Sequence, residues 1–162
     1  MFLLCVGTRA AEADDGGGRT VPARAYCLEL RSADGELVFS DNIAPGGTFV
    51  LRHIHSVHKT PVEETLGLGP GNSVAILEGR YSDFGAGLSE HAEKDQAFSF
   101  AGGEARLIFS QRSVPNIEIR VGRFAKHTLI VKGKPHRLAL WVRPGEYVVL
   151  QTLEGACTPR AP

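Results

Sequence analysis

Glycine and proline interrupt this chain so often that a long helix has no room in it. The 162 residues contain 19 glycines and 9 prolines. They gather at Pro45-Gly46-Gly47, Gly69-Pro70-Gly71, Gly102-Gly103, Gly133-Lys134-Pro135 and Pro144-Gly145. Glycine supplies the positive φ that tight turns need, and proline cannot donate to a helical or ladder hydrogen bond. Between these breaks lie short segments in which apolar and polar residues alternate, the period of a half-buried strand. Ala25 to Arg31 alternates, Asp34-Gly35 is a hairpin signal, and Glu36 to Ser40 returns. Further strands are predicted over 47–55, 62–68, 73–80, 96–100, 105–110, 115–121, 127–132, 136–142 and 146–153, with one helical turn over Ser89 to Asp95. Roughly ten short, mainly antiparallel strands at this spacing predict an all-β fold, a β-sandwich or a closed barrel.

The length suits one domain, which at this size buries about two thirds of its unfolded surface. The fractions of hydrophobic (43%) and charged (22%) residues are those of globular proteins. No run approaches the roughly 20 apolar residues of a spanning helix. Residues 1–23 read as a flexible leader, 24–155 as a single all-β domain and 156–162 as a C-terminal tail. Phe2 to Gly7 is a short apolar run, and Ala11-Glu12-Ala13 has the form of a signal-peptidase site, so the leader reads as a remnant of an export signal or a frayed terminus. The three cysteines, Cys5, Cys27 and Cys157, form no CxxC pair. Cys27 in the first strand and Cys157 beyond the last are either unrelated thiols or a bridge, which would contribute roughly 5 kcal/mol by chain entropy.

The 18 basic and 18 acidic side chains cancel but are unevenly placed. Residues 1–105 hold 8 basic and 15 acidic groups, and 106–162 hold 10 and 3. The two parts either neutralise each other on folding or leave a basic face drawn from Arg106, Arg112, Arg120, Arg123, Lys126, Lys132, Lys134, Arg137 and Arg143. Such a face suits an anionic membrane surface, an anionic ligand or an acidic partner. Aromatic residues are only 7% of the chain, too few to line such a face with stacking platforms, so nucleic acid is not an expected partner.

The densest polar stretch is Arg52-His53-Ile54-His55-Ser56-Val57-His58-Lys59-Thr60-Pro61-Val62-Glu63-Glu64, with three of the six histidines. On strands, His53 and His55 would share a face with Phe49 and Leu51. Glu64 would face with Val62 and Leu66, and Glu63 with Thr65. If the two strands fold back on each other, His55 and both acids are expected to meet in one pocket. Three chemistries compete there. His53 and His55 with a carboxylate resemble the first half of a cupin metal motif, but Lys59 and Thr60 stand where its glutamate belongs and the second half is missing. Ser56 beside histidines suggests hydrolysis, yet strand neighbours face apart and no nucleophile elbow exists. His55, Ser56, Lys59, Glu63 and Glu64 together suit recognition of a ligand or partner, with an acid held by Arg52 or Lys59, or else a polar network that sets strand register. The second notable stretch, Arg80 to Leu88, contains Gly85 and Gly87. It reads as a structural turn, or as a backbone nest for an anion at the edge of the site.

Phe49 to Glu64 followed by Phe84-Gly85-Ala86-Gly87-Leu88 resembles the bacterial family named domain of unknown function 1850, over roughly residues 26–152. The most specific part is His55-Ser56-Val57 followed by Pro61-Val62-Glu63-Glu64 and then Gly85-Ala86-Gly87. The resemblance implies a small envelope protein encoded beside TAXI-type TRAP transporters, importers of small organic acids. Related sequences often carry an aromatic residue at the position of His53, which argues against a required His53–His55 metal pair. The expectation is therefore a non-enzymatic accessory or ligand-binding protein without cofactor, at the periplasm or the outer face of the inner membrane. Its expected partners are a TRAP-type permease or solute receptor and a small anionic ligand, with membrane-surface contact through the basic C-terminal third. The expected contact residues are His55, Ser56, Lys59, Glu63, Glu64, Gly85 and Gly87. A cupin-like metal enzyme using His53 and His55, or a purely structural interaction module, are the alternatives.

Overall fold

Turn chemistry of this kind folds each strand back on its predecessor, and every strand pairing observed is antiparallel. A computed structural model of the chain describes residues 25–85 and 87–157. The leader of residues 1–23 and its signal-like run lie outside the described residues. Among these, eleven strands run in order: β1 (Tyr26–Ser32), β2 (Leu37–Ile43), β3 (Thr48–Ile54), β4 (Pro61–Leu68), β5 (Val74–Tyr81), β6 (Gln96–Ala101), β7 (Glu104–Val114), β8 (Ile117–Arg120), β9 (Thr128–Val131), β10 (Lys134–Arg137) and β11 (Tyr147–Glu154). They form a four-stranded sheet, β2-β1-β11-β8, and a seven-stranded sheet, β10-β9-β3-β4-β5-β7-β6. Both sheets keep open edges, so the all-β fold is a sandwich rather than a barrel.

The alternation that marked the strands is the alternation that fills the core. Leu28 and Leu30 of β1 and Val148 and Leu150 of β11 meet Phe49, Leu51, Leu66, Leu129 and Val131 of the large sheet, all buried. A second, smaller cluster forms further along the same face of the large sheet from Val62, Tyr81, Ala105 and Leu107, with Phe84, Leu88 and Phe98 packed on it. The four-stranded sheet covers the first cluster, and the segment after β5 folds over the second.

Two expectations fail locally. The strand predicted over 136–142 stops at Arg137, because Leu138 and Val142 turn inward to be buried. The Leu138 N–H donates to the His127 carbonyl (3.0 Å), and a 3-10 turn over Leu138–Leu140 follows. The helical turn predicted over 89–95 does not form. Asp95 takes a left-handed φ of 65°, and its carbonyl accepts both the Ser110 N–H and the Ser110 hydroxyl.

Cys27 and Cys157 are bridged, with Cα atoms 4.7 Å apart. The Cys157 N–H also donates to Asn42 Oδ1 (2.8 Å), so the fold runs past the expected boundary at residue 155. At the junction after β4, Gly69 is set by close approach. A Cβ there would lie 2.9 Å from the Ser73 carbonyl oxygen and 3.2 Å from Ser113 Cβ. Gly69→Ala is therefore expected to lower stability by about 1 kcal/mol, read from a urea midpoint shift.

Candidate functional site

The β3–β4 hairpin divides the residues of the polar stretch between two faces. Its register pairs Arg52 with Glu63 and Leu51 with Glu64. Glu63 thus lies on the outer face, where its carboxylate accepts from Arg52 at 2.5 Å. On the same face Glu78 is held by Arg106 (2.7 Å) and by Arg80, and these guanidinium hydrogen bonds pull its carboxyl below the usual range. Glu64 lies on the inner face between Leu51 and Gly79. Burial pushes its carboxyl above the usual carboxylate range, against a smaller opposing pull from Arg112.

His55 and Ser56 fall past the end of β3, in the turn to β4. The His55 N–H donates to the Thr60 carbonyl (2.9 Å), and the Lys59 N–H donates to the His55 carbonyl (3.0 Å). The His55 ring stacks on His58 at 5.0 Å between centroids, and its Nδ1 accepts the His58 N–H. The Lys59 ammonium folds back onto the Ser56 carbonyl. This turn lies against the β8–β9 loop, residues 121–127, with the Ile54 N–H donating to the Ala125 carbonyl (2.7 Å). The two segments enclose a small cleft lined by Ile54, His55, Ser56, Lys59, Arg123 and Phe124.

The expected common pocket of His55 with both acids is therefore not formed. Pro61 begins β4 directly opposite Ile54, the last residue of β3, so the acids sit within the sheet while His55, Ser56 and Lys59 sit beyond its end. His53 stays on the inner face and stacks on His127 at 5.4 Å. Burial chiefly, then the neighbouring His127 and His55, lower its pKa to about 4, and burial also lowers that of His127. The His127 Nδ1 accepts the Gly122 N–H (3.3 Å). Among the described residues no group of three or more His, Cys, Asp and Glu side chains is placed to hold a metal ion. The cupin-like alternative on His53 and His55 thus lacks its ligand set there.

Glu64 belongs to a different constellation. It lines a groove of about 320 Å³ with Gly79, Tyr81, Gly87, Leu107, Phe109 and Arg112. Gly79 opposite Glu64 carries no side chain to fill this space. Phe109 and Arg112 also line two further depressions, of about 410 and 340 Å³. An irregularity in β7 creates the groove. Gly79 pairs with Leu107 and Glu78 with Ile108, but Ile76 pairs with Arg112, so residues 109–111 bulge out of the ladder. The bulge reverses which residues face inward, and Arg112 shares the inner side with Ile76. The Arg112 guanidinium lies over the Phe109 ring at 5.1 Å. Among the described residues it has no ion pair.

The segment after β5 forms the far wall. The Tyr81 hydroxyl donates to the Ser89 carbonyl at 2.6 Å, and the Gly85 and Leu88 backbones pair with each other. Gly85 (φ 80°) and Gly87 (φ 97°) occupy backbone conformations that resist other residues, so this pair makes a turn, with Gly87 on the groove. Of the expected contact residues, Glu64 and Gly87 thus meet in the groove, Gly85 lies beside it, and His55, Ser56 and Lys59 line the separate cleft. Glu63 faces away from both. Arg112 stood out in the sequence only as one member of a basic run.

Among curated proteins and among solved structures, nothing matches the chain at a significant level. The family described as "Domain of unknown function (DUF1850)" matches residues 49–138, from β3 through the end of β10, a span that includes both the groove and the cleft. The chain therefore belongs to the DUF1850 family.

Proposed function

We propose that this protein is a non-enzymatic binding module of the cell envelope that holds a small organic carboxylate in the Glu64–Arg112 groove, and serves a TRAP-type importer there. One observation carries this reading: an arginine without an ion pair among the described residues, backed by an aromatic ring, lines the same cavity as a half-buried acid. A guanidinium stacked on Phe109 keeps its edge free to grip a carboxylate with two parallel hydrogen bonds. Glu64, whose burial favours the protonated form, can donate to a second oxygen of the same solute. Val62, Leu88 and Leu107 offer apolar contact to its carbon skeleton. Cavities of this size suit small molecules. The Cys27–Cys157 bridge supports an oxidising compartment, in keeping with the periplasm or the outer face of the inner membrane.

Calorimetric titration with short mono- and dicarboxylates, against the matching amides, tests the groove. A carboxylate should bind where its amide does not, and Arg112→Gln should weaken it at least tenfold, the usual loss for a charge-assisted hydrogen bond. Affinity should fall as pH rises through the titration of Glu64, because an ionised Glu64 repels the anion. Glu64→Gln should remove that pH dependence while keeping affinity. Absence of heat or thermal stabilisation with every carboxylate would refute the groove. The importer association is tested by co-purification with the permease or solute receptor. No recovery, together with unchanged uptake after deletion, would refute it.

A further inference from the structure

The three most exposed large hydrophobic side chains among the described residues are Leu140 (79%), Phe124 (78%) and Val57 (64%). They are far apart in sequence, but strand register brings them to one end of the sandwich. Ile54 pairs with Pro61 at the last step of the β3–β4 hairpin, so Val57 lies in the turn just beyond it. Arg52 pairs with Thr128, and Thr128 with Arg137. The β8–β9 loop with Phe124 and the 3-10 turn with Leu140 therefore project from that same end.

The charges around them are cationic. Arg123, Lys126 and Arg137 are exposed and have no acidic partner among the described residues, and Lys59 neutralises no carboxylate. Glu63 is spent on Arg52, and Glu146 accepts the Arg143 N–H. The carboxylates of Asp34 and Glu36 on the β1–β2 turn, of Asp83 and Glu90 after β5, and of Glu104 at the start of β7 also lie toward this end. β5 is two strands from β3 and β1 two strands from β8, about 10 Å at normal spacing. That exceeds the Debye length of about 8 Å at physiological salt. The acidic groups thus leave the basic corner electrostatically distinct.

We propose that this end of the sandwich docks on an anionic lipid surface, with Phe124, Leu140 and Val57 entering the headgroup layer and Arg123, Lys126, Arg137 and Lys59 meeting lipid phosphates. A protein interface that leaves aromatic and aliphatic tips surrounded by unpaired cations would place those cations against low-dielectric surface. A phosphate layer over hydrocarbon takes both at their own depth. The groove around Arg112 is not part of this surface.

Flotation of the full chain with vesicles tests the assignment, comparing phosphatidylcholine alone with phosphatidylcholine containing phosphatidylglycerol. Recovery should be high only with the anionic vesicles and should drop with added salt. Arg123→Gln combined with Lys126→Gln should lower partitioning about twentyfold, the effect of two cations at a charged surface. Phe124→Ser combined with Leu140→Ser should lower it at least tenfold, whereas Ile108→Ser, at an exposed apolar position in the middle of β7 opposite Glu78, should leave it unchanged. All these side chains are exposed, so the variants are expected to keep the wild-type circular dichroism. Equal recovery with neutral and anionic vesicles would overturn the proposal. So would indifference to the paired serine substitutions, or binding to a permease with none to lipid.

Discussion

Replacing Cys27 and Cys157 together by serine is expected to lower stability by about 5 kcal/mol, the largest effect predicted for this chain. The bridge closes a loop of 130 residues, nearly the whole described fold. In the chain-entropy model the loss of that constraint enlarges the unfolded ensemble by about this amount. Single domains are stable by only about 5–15 kcal/mol, so the variant should stand near the edge of folding. Cys27 is buried in β1, which lies between β2 and β11, and Cys157 also takes the Asn42 side chain. The bridge therefore secures the middle of the smaller sheet, the half of the sandwich with fewer strands. At about 3–4 °C per kcal/mol for a domain of this size, the melting temperature should fall by roughly 15–20 °C. Calorimetric melts with and without reductant check this. Superimposed melts of wild type and double variant would show that the bridge contributes nothing.

Acidification should have the next largest effect, through His53. Its pKa is about 4 in the fold against 6.5 when free, because burial and two neighbouring imidazoles disfavour the cation. A depressed pKa means that the unfolded chain takes up a proton that the folded one refuses. The stability is thus whole above pH 6.5 and drains away as the pH falls toward 4. The full shift corresponds to about 3 kcal/mol, and partial solvent screening of this half-buried ring reduces that to about 2. His127, also lowered by burial, acts in the same direction. Glu64 acts oppositely, since its raised pKa lets the folded state take a proton first. Urea midpoints at pH 7 and pH 4.5 should differ in the wild type. His53→Phe, which preserves a ring against His127, should flatten the difference. An unchanged wild-type midpoint would mean that His53 is not held neutral.

The strands were readable because glycine and proline mark their ends and alternation marks their faces. Glu64 sharing a face with Val62 and Leu66, apart from Glu63, follows from parity alone and holds. Parity also fails where the ladder is irregular. Counting by twos inward from Ala105 and Leu107 places Arg112 on the outer face, and only the bulge at 109–111 returns it to the groove. No local residue pattern announces such a bulge, so the arginine most useful to an anion was not distinguishable from its neighbours. His55 was misplaced for a related reason. Its strand ends one residue earlier, where the turn to Pro61 takes over its backbone hydrogen bonds. The strand expected at 136–142 failed because Leu138 and Val142 pack inward together, a periodicity decided by the core beneath them.

The bridge between Cys27 and Cys157 also decides how the domain would carry a load. Tension applied at the two ends of the chain would enter at one sulfur and leave at the other, across Cα atoms only 4.7 Å apart. The sheets would bear none of it. Tethered at one end and pulled at the other, the sandwich would hang to the side of the line of force, as rigid as the covalent link itself, and would begin to unravel only after reduction.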